Sequence, residues 1–164
     1  MRLLFFILLS CFTFQANAQK TLDELLNQYN RNRAPYISVQ ELAMPKTDAI
    51  ILDAREKEEY DVSHLKDAIF VGYNRFEIDS IQDKLVNKDK KIVVYCSLGI
   101  RSETVAEKLK KAGFTNVYNL YGGIFEWKNK DFPIYNLKEN ETDSIHAFSK
   151  EWSKWVKKGQ KIYD

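Results

Sequence analysis

Two runs of four apolar residues, Ala49-Ile50-Ile51-Leu52 and Ile92-Val93-Val94-Tyr95, narrow the folds open to this chain more than any other feature. A strand with one face in water alternates apolar and polar side chains, whereas a strand apolar on both faces belongs to a sheet covered on both sides. Five strand-like segments follow one another along the chain: 36–37, 49–53, 68–71, 91–96 and 116–120. Apolar spacing predicts helices between them, over 76–86 through Phe76, Ile78, Ile81 and Leu85, and over 102–112 through Val105, Ala106 and Leu109, with Gly113 closing the second. Ser38, with Glu41 three positions on, caps a turn over 39–42, and a helix is expected over 21–30, ahead of the repeating part. Alternating strands and helices give an α/β fold with a five-stranded, mostly parallel sheet whose ligand site lies beyond the carboxyl ends of the strands.

The first eighteen residues have the form of a secretory signal, with Arg2 as the charged start, an apolar stretch over 3–14 and Ala16-Asn17-Ala18 as a small-x-small cleavage site. The expected mature chain begins at Gln19, is exported, and is periplasmic in a Gram-negative cell. The alternative reads Leu8-Leu9-Ser10-Cys11 as a lipobox with Cys11 as the lipid anchor. The apolar stretch is too short to span a bilayer. The remaining residues suit one domain, placed at 19–136 with a helical extension over 137–164, and a monomer is expected. A net charge of +2 gives no reason to expect nucleic acid as a partner.

Of the two cysteines, Cys11 leaves with the leader, so Cys96 is a solitary thiol. It stands where the apolar run 92–95 ends, and Ser97-Leu98-Gly99-Ile100-Arg101 leads straight into the helix expected from Ser102. Backbone N–H groups and the positive end of a helix dipole converge at such a place and favour an anion, here the nucleophilic thiolate. Gly99 lets the loop curl its amides toward one atom, and Arg101 adds a positive charge on the rim.

In order along the chain, Leu52-Asp53-Ala54-Arg55-Glu56 with Glu59-Tyr60, His64-Leu65, Ala68-Ile69, Tyr95-Cys96-Ser97-Leu98-Gly99-Ile100-Arg101-Ser102, Gly113-Phe114, Leu120-Tyr121-Gly122-Gly123-Ile124 and Trp127 resemble the rhodanese family over roughly 37–133. The resemblance implies a sulfurtransferase in which Cys96 takes a sulfane sulfur from a donor such as thiosulfate, carries it as a persulfide and passes it to a thiol or cyanide-like acceptor. Residues Ser97, Leu98, Gly99, Ile100, Arg101 and Ser102 would bind the substrate, Arg101 holding an anionic donor. It implies no cofactor. Asp53 and Arg55 would brace neighbouring loops as an ion pair, and His64 would be a turn residue. Ser63 and Asp67 depart from the family, standing where glycines are common. The same fold without turnover, as a persulfide or redox partner module, is the competing function. Related phosphatases and arsenate reductases use five residues between cysteine and arginine; here there are four, a loop sized for sulfur.

No metal site is expected, since His64 and His146 are far apart and neither lies in a ligand-like cluster. Gly122-Gly123 is read as a tight turn into a short helix over 124–128. Over 142–158, Ile145, Phe148, Trp152, Trp155 and Val156 recur at spacings of three and four, which predicts an amphipathic C-terminal helix laid over the core. A docking face for a partner or a membrane surface is the alternative.

Overall fold

A computed structural model describes residues 20–81 and 84–163. The expected leader, its cleavage site and Cys11 lie outside the described residues.

The chain begins with α1 (Leu22–Tyr29), started by a capping box in which the Thr21 hydroxyl accepts from the Glu24 amide and the Glu24 carboxylate accepts from the Thr21 amide. Then come β1 (Tyr36–Ile37), α2 (Val39–Leu42), β2 (Ile50–Asp53), α3 (Lys57–Val62), β3 (Ile69–Phe70), β4 (Ile92–Tyr95), α4 (Arg101–Lys111), β5 (Val117–Leu120) and α5 (Gly123–Asn129). The five strands form one parallel sheet in the order β1-β5-β4-β2-β3.

β4 is the central strand, and all four of its residues are buried. Val93 and Tyr95 pack on one face with Leu25 of α1, Val39 and Leu42 of α2, and Ile124, Phe125 and Trp127 of α5. Ile92 and Val94 pack on the other with Val105, Ala106 and Leu109 of α4. Each such side chain removed from water contributes about 1.5–3 kcal/mol, so the apolar run fixes where β4 must lie.

Two expected helices are replaced by other structure. Over 76–86, Phe76, Ile81 and Leu85 reach the core as expected, but the described backbone there makes a short 3₁₀ turn at Ile78–Ser80 and is again 3₁₀ at Lys84 rather than one α-helix. The Ser80 hydroxyl donates to the Glu77 carbonyl at 2.6 Å, one of the local bonds by which serine competes with a helix.

The amphipathic helix expected over 142–158 is absent. In its place stand β7 (Glu141–Thr142), which pairs antiparallel with β6 (Ile134–Tyr135), then β8 (Ser144–His146), a 3₁₀ turn at Trp152–Trp155, and β9 (Gln160–Ile162) parallel to β8. Side chains again satisfy local backbone groups: the Thr142 hydroxyl accepts from the Ser144 amide at 3.2 Å, and the Ser153 hydroxyl donates to the Lys150 carbonyl at 2.8 Å. The apolar positions still face inward, since Ile145, Trp155 and Val156 join the α1, α2 and α5 side of the core. Asn129 of α5 fastens the segment, donating to the Trp155 carbonyl and accepting from the Lys157 amide.

Candidate active site

Cys96 follows the carboxyl end of β4, and the loop to α4 wraps its sulfur. The residue is 2% exposed, and the Gly99 amide donates to Sγ at 3.1 Å. Gly99 has φ +100, and a Cβ there would lie 3.1 Å from the Leu120 carbonyl oxygen, so the curl needs glycine. Asn119 and Asn30 each donate to the Gly99 carbonyl at 2.8 Å and hold the loop from both sides. The Ser102 hydroxyl lies 3.4 Å from Sγ and 2.7 Å from Asn119 Oδ1, one proton for two acceptors.

Burial opposes ionisation of Cys96. Against it the Arg101 guanidinium, the hydroxyl and amide of Ser102 and the Gly99 amide together hold the thiol below its ordinary value.

Arg101 does not stand free on the rim. Its Nη1 and Nη2 donate to the two Glu59 carboxylate oxygens at 2.6 and 2.7 Å, and Nη2 also donates to the Ser97 hydroxyl at 2.9 Å. Ser97 in turn donates to Glu59 at 2.8 Å. Burial would raise the Glu59 carboxyl, but the Arg101 pair, Arg55 and the Glu56 amide bring it down to about 2. The sulfur therefore sits beside a cation that already has a bidentate partner.

The backbone of α5 completes the floor. Ile124 and Phe125 amides donate to the carbonyls of Cys96 and Ser97 at 3.0 and 3.1 Å. A Cβ on Gly123 would lie 2.2 Å from the Cys96 carbonyl oxygen, so Gly123 serves close backbone approach rather than phosphate binding.

Asp53 and Arg55 form a fully buried pair with Nη2 to Oδ2 at 2.7 Å, Arg55 also donating to the Ser63 carbonyl at 2.6 Å. His64 is buried beneath Tyr60, stacked at 4.2 Å, and its backbone pairs with Tyr135. Neither borders the cavity above Cys96. Asp67 takes the left-handed conformation, φ 59, that a family glycine would supply, while Ser63 is extended. No cluster of metal-ligating side chains occurs among the described residues, and none of the described helices is long and apolar enough to cross a membrane.

The cavity is about 160 Å³, lined by Cys96, Ser97, Leu98, Ile100 and Arg101 from the loop, and by Phe148 and Trp152 from the chain after β8. Residue patterns alone pointed to none of Glu59, Asn30, Asn119, Phe148 and Trp152 as part of the site. Glu59 stood within a quoted motif, the one signal that could have singled it out.

The sequence model of the Rhodanese-like domain family matches residues 38–130. The chain belongs to the rhodanese-like domain family. This rhodanese-like chain is 38% identical over 103 residues to a protein named tRNA uridine(34) hydroxylase from Hamiltonella defensa, a match covering 57% of the chain and 28% of that protein. The chain spans about a quarter to a third of the length of the curated relatives it matches. Among solved structures, the rhodanese-like domain of an Anabaena protein superposes with TM-score 0.57 at 24% identity, covering 65% of this chain and 82% of that one. A thiosulfate sulfurtransferase from Pseudomonas aeruginosa gives TM-score 0.57 at 22% identity, covering 75% of this chain and 23% of that one. These two likenesses show the shared fold.

Proposed function

We propose that this rhodanese-like chain is a sulfurtransferase that carries sulfane sulfur on Cys96, from a donor such as thiosulfate to a thiophilic acceptor. The observation that carries this reading is the held sulfur: one thiol, favoured as thiolate, receiving the Gly99 amide at 3.1 Å at the floor of an open cavity. In the loading step the Cys96 thiolate attacks the outer sulfur of thiosulfate, the donor's S–S bond breaks, and sulfite leaves with its electron pair. The persulfide anion then occupies the ring of donors that held the thiolate, which is covalent catalysis supported by fixed dipoles.

Names among the relatives concern tRNA, but those proteins are several times longer than the matched segment. The cavity lining here has one cation, already paired, and so offers little to a phosphate backbone.

Incubating the reduced protein with thiosulfate should add about 32 mass units, one sulfur atom in persulfide form, and Cys96→Ser should take up none. Absence of the adduct on a protein whose thiol is demonstrably reduced would overturn the proposal. Turnover separates an enzyme from a carrier module: stoichiometric loading with no catalytic transfer to any thiol or to cyanide identifies the module.

A further inference from the structure

The family match ends at residue 130, yet two of the seven residues lining the Cys96 cavity, Phe148 and Trp152, lie beyond it. Building on the sulfur-transfer reading, we propose that the chain from β8 to β9 is an acceptor-selecting wall, and that the sulfur acceptor is a neutral thiol bearing an aromatic or branched apolar group.

Three observations carry this. The first is the cavity's chemistry: Leu98, Ile100, Phe148 and Trp152 supply apolar surface, while its one cation, Arg101, is bound by both oxygens of Glu59 and has Phe148 over its face, 4.9 Å from the ring centroid. An anionic group on the acceptor would meet a cation that Glu59 has already paired. The second is size: at about 160 Å³ the cavity matches the roughly 150 Å³ apolar cavity known to admit benzene. One ring, or a branched alkyl group, fills it.

The third is the way the wall is fixed. Trp152 meets Tyr29 of α1 edge to face at 5.8 Å, and its amide donates to the Ser149 hydroxyl at 3.4 Å. Phe148 has φ 66, a conformation that costs a bulky residue energy and persists only where the surroundings impose it. The residue is nonetheless 45% exposed and lines the cavity, so it stands at the mouth rather than in the core.

In the transfer step the acceptor thiol loses its proton to solvent and its thiolate attacks the outer sulfur of the Cys96 persulfide. The persulfide S–S bond breaks, its electron pair returns to Cys96 Sγ, and a new S–S bond forms on the acceptor. No outside oxidant or reductant enters.

With the full chain loaded by thiosulfate, kcat/KM for 2-phenylethanethiol should exceed that for 2-mercaptoethanol by about tenfold or more, the scale on which apolar pockets discriminate. Phe148→Ala and Trp152→Ala should shrink this ratio, chiefly by raising KM for the phenyl thiol, and Trp152→Phe should restore most of it. A ratio near one in the unmodified chain, or one unchanged in both alanine variants, overturns the proposal. Phe148, being half exposed, gives a variant that keeps the fold even if Trp152→Ala does not.

Should no persulfide form, the sulfur-transfer reading falls, and the wall is tested on its own by alkylating Cys96 with N-phenylmaleimide and N-methylmaleimide, each rate divided by that of free cysteine. Preference for the phenyl reagent that is lost in Phe148→Ala supports the wall. Equal normalised rates overturn it.

Discussion

Two arginines stand beyond the carboxyl ends of adjacent strands, each paired with a carboxylate, and only one is beside the sulfur. Arg55, after β2, is wholly buried with Asp53, while Arg101, after β4, keeps 16% of its side chain exposed and borders the Cys96 cavity. Asp53 also accepts from the Tyr95 hydroxyl, whose oxygen accepts from the Leu65 amide, so the first pair stitches β2, β4 and the chain before β3 together. Glu59 instead binds Arg101 and Ser97, both in the cysteine loop. The same pairing of charges thus serves architecture where it is sealed and orients a loop where it opens on a cavity.

The comparison breaks most visibly at the sealed pair. Asp53→Ala leaves the Arg55 guanidinium without its carboxylate where no water reaches it, so unfolding in urea should show a loss of about 3–5 kcal/mol, a large share of an ordinary domain's stability. A loss under about 1 kcal/mol would mean that the pair does not hold the strand ends together.

Glu59 should matter next. Its carboxyl is held at about 2, below the usual unfolded value of about 4.3, so its ionised form stabilises the fold by about 3 kcal/mol above roughly pH 4.5. That contribution disappears as pH falls through the folded value. Glu59→Gln should therefore cost up to about 3 kcal/mol at neutral pH and flatten the acid limb of stability between about pH 4.5 and 2. An acid limb identical in both proteins would show that Glu59 is not the group titrating there.

How much of this was legible in the residues follows from what each signal depends on. The strands over 50–53 and 92–95 were legible because their apolar runs have no other home than a covered sheet, and Cys96 because it follows the second directly. The helix expected over 142–158 failed for a physical reason: period 3.6 marks which residues face the core, and Ile145, Trp155 and Val156 do face it, but β8 found a partner strand in β9. That pairing is made by residues sixteen apart, Ser144 with Gln160, and no local pattern reports it. The partners of the loop were hidden for the same reason. Asn119 reaches Gly99 from 20 residues away, Asn30 from 69, and Glu59 reaches Arg101 from 42.

The finest test compares the arginines through the sulfur itself. Cys96 is neutral when protonated and anionic when not, so neighbours that favour the anion lower its pKa, and alkylation by iodoacetamide should rise with pH to a midpoint below that of an ordinary thiol. Burial pushes the thiol up, and the largest influence opposing burial is Arg101. Arg101→Gln should therefore move the midpoint upward. Ser102→Ala should move it in the same direction by less, because the hydroxyl divides one proton between Sγ and Asn119 Oδ1 at 3.4 and 2.7 Å. The sealed Arg55 does not border the cavity, and its partner's removal acts on stability. If Arg101→Gln leaves the midpoint where it was, the open arginine is as purely architectural as the sealed one, and the amides of Gly99 and Ser102 together with the Ser102 hydroxyl must hold the thiolate.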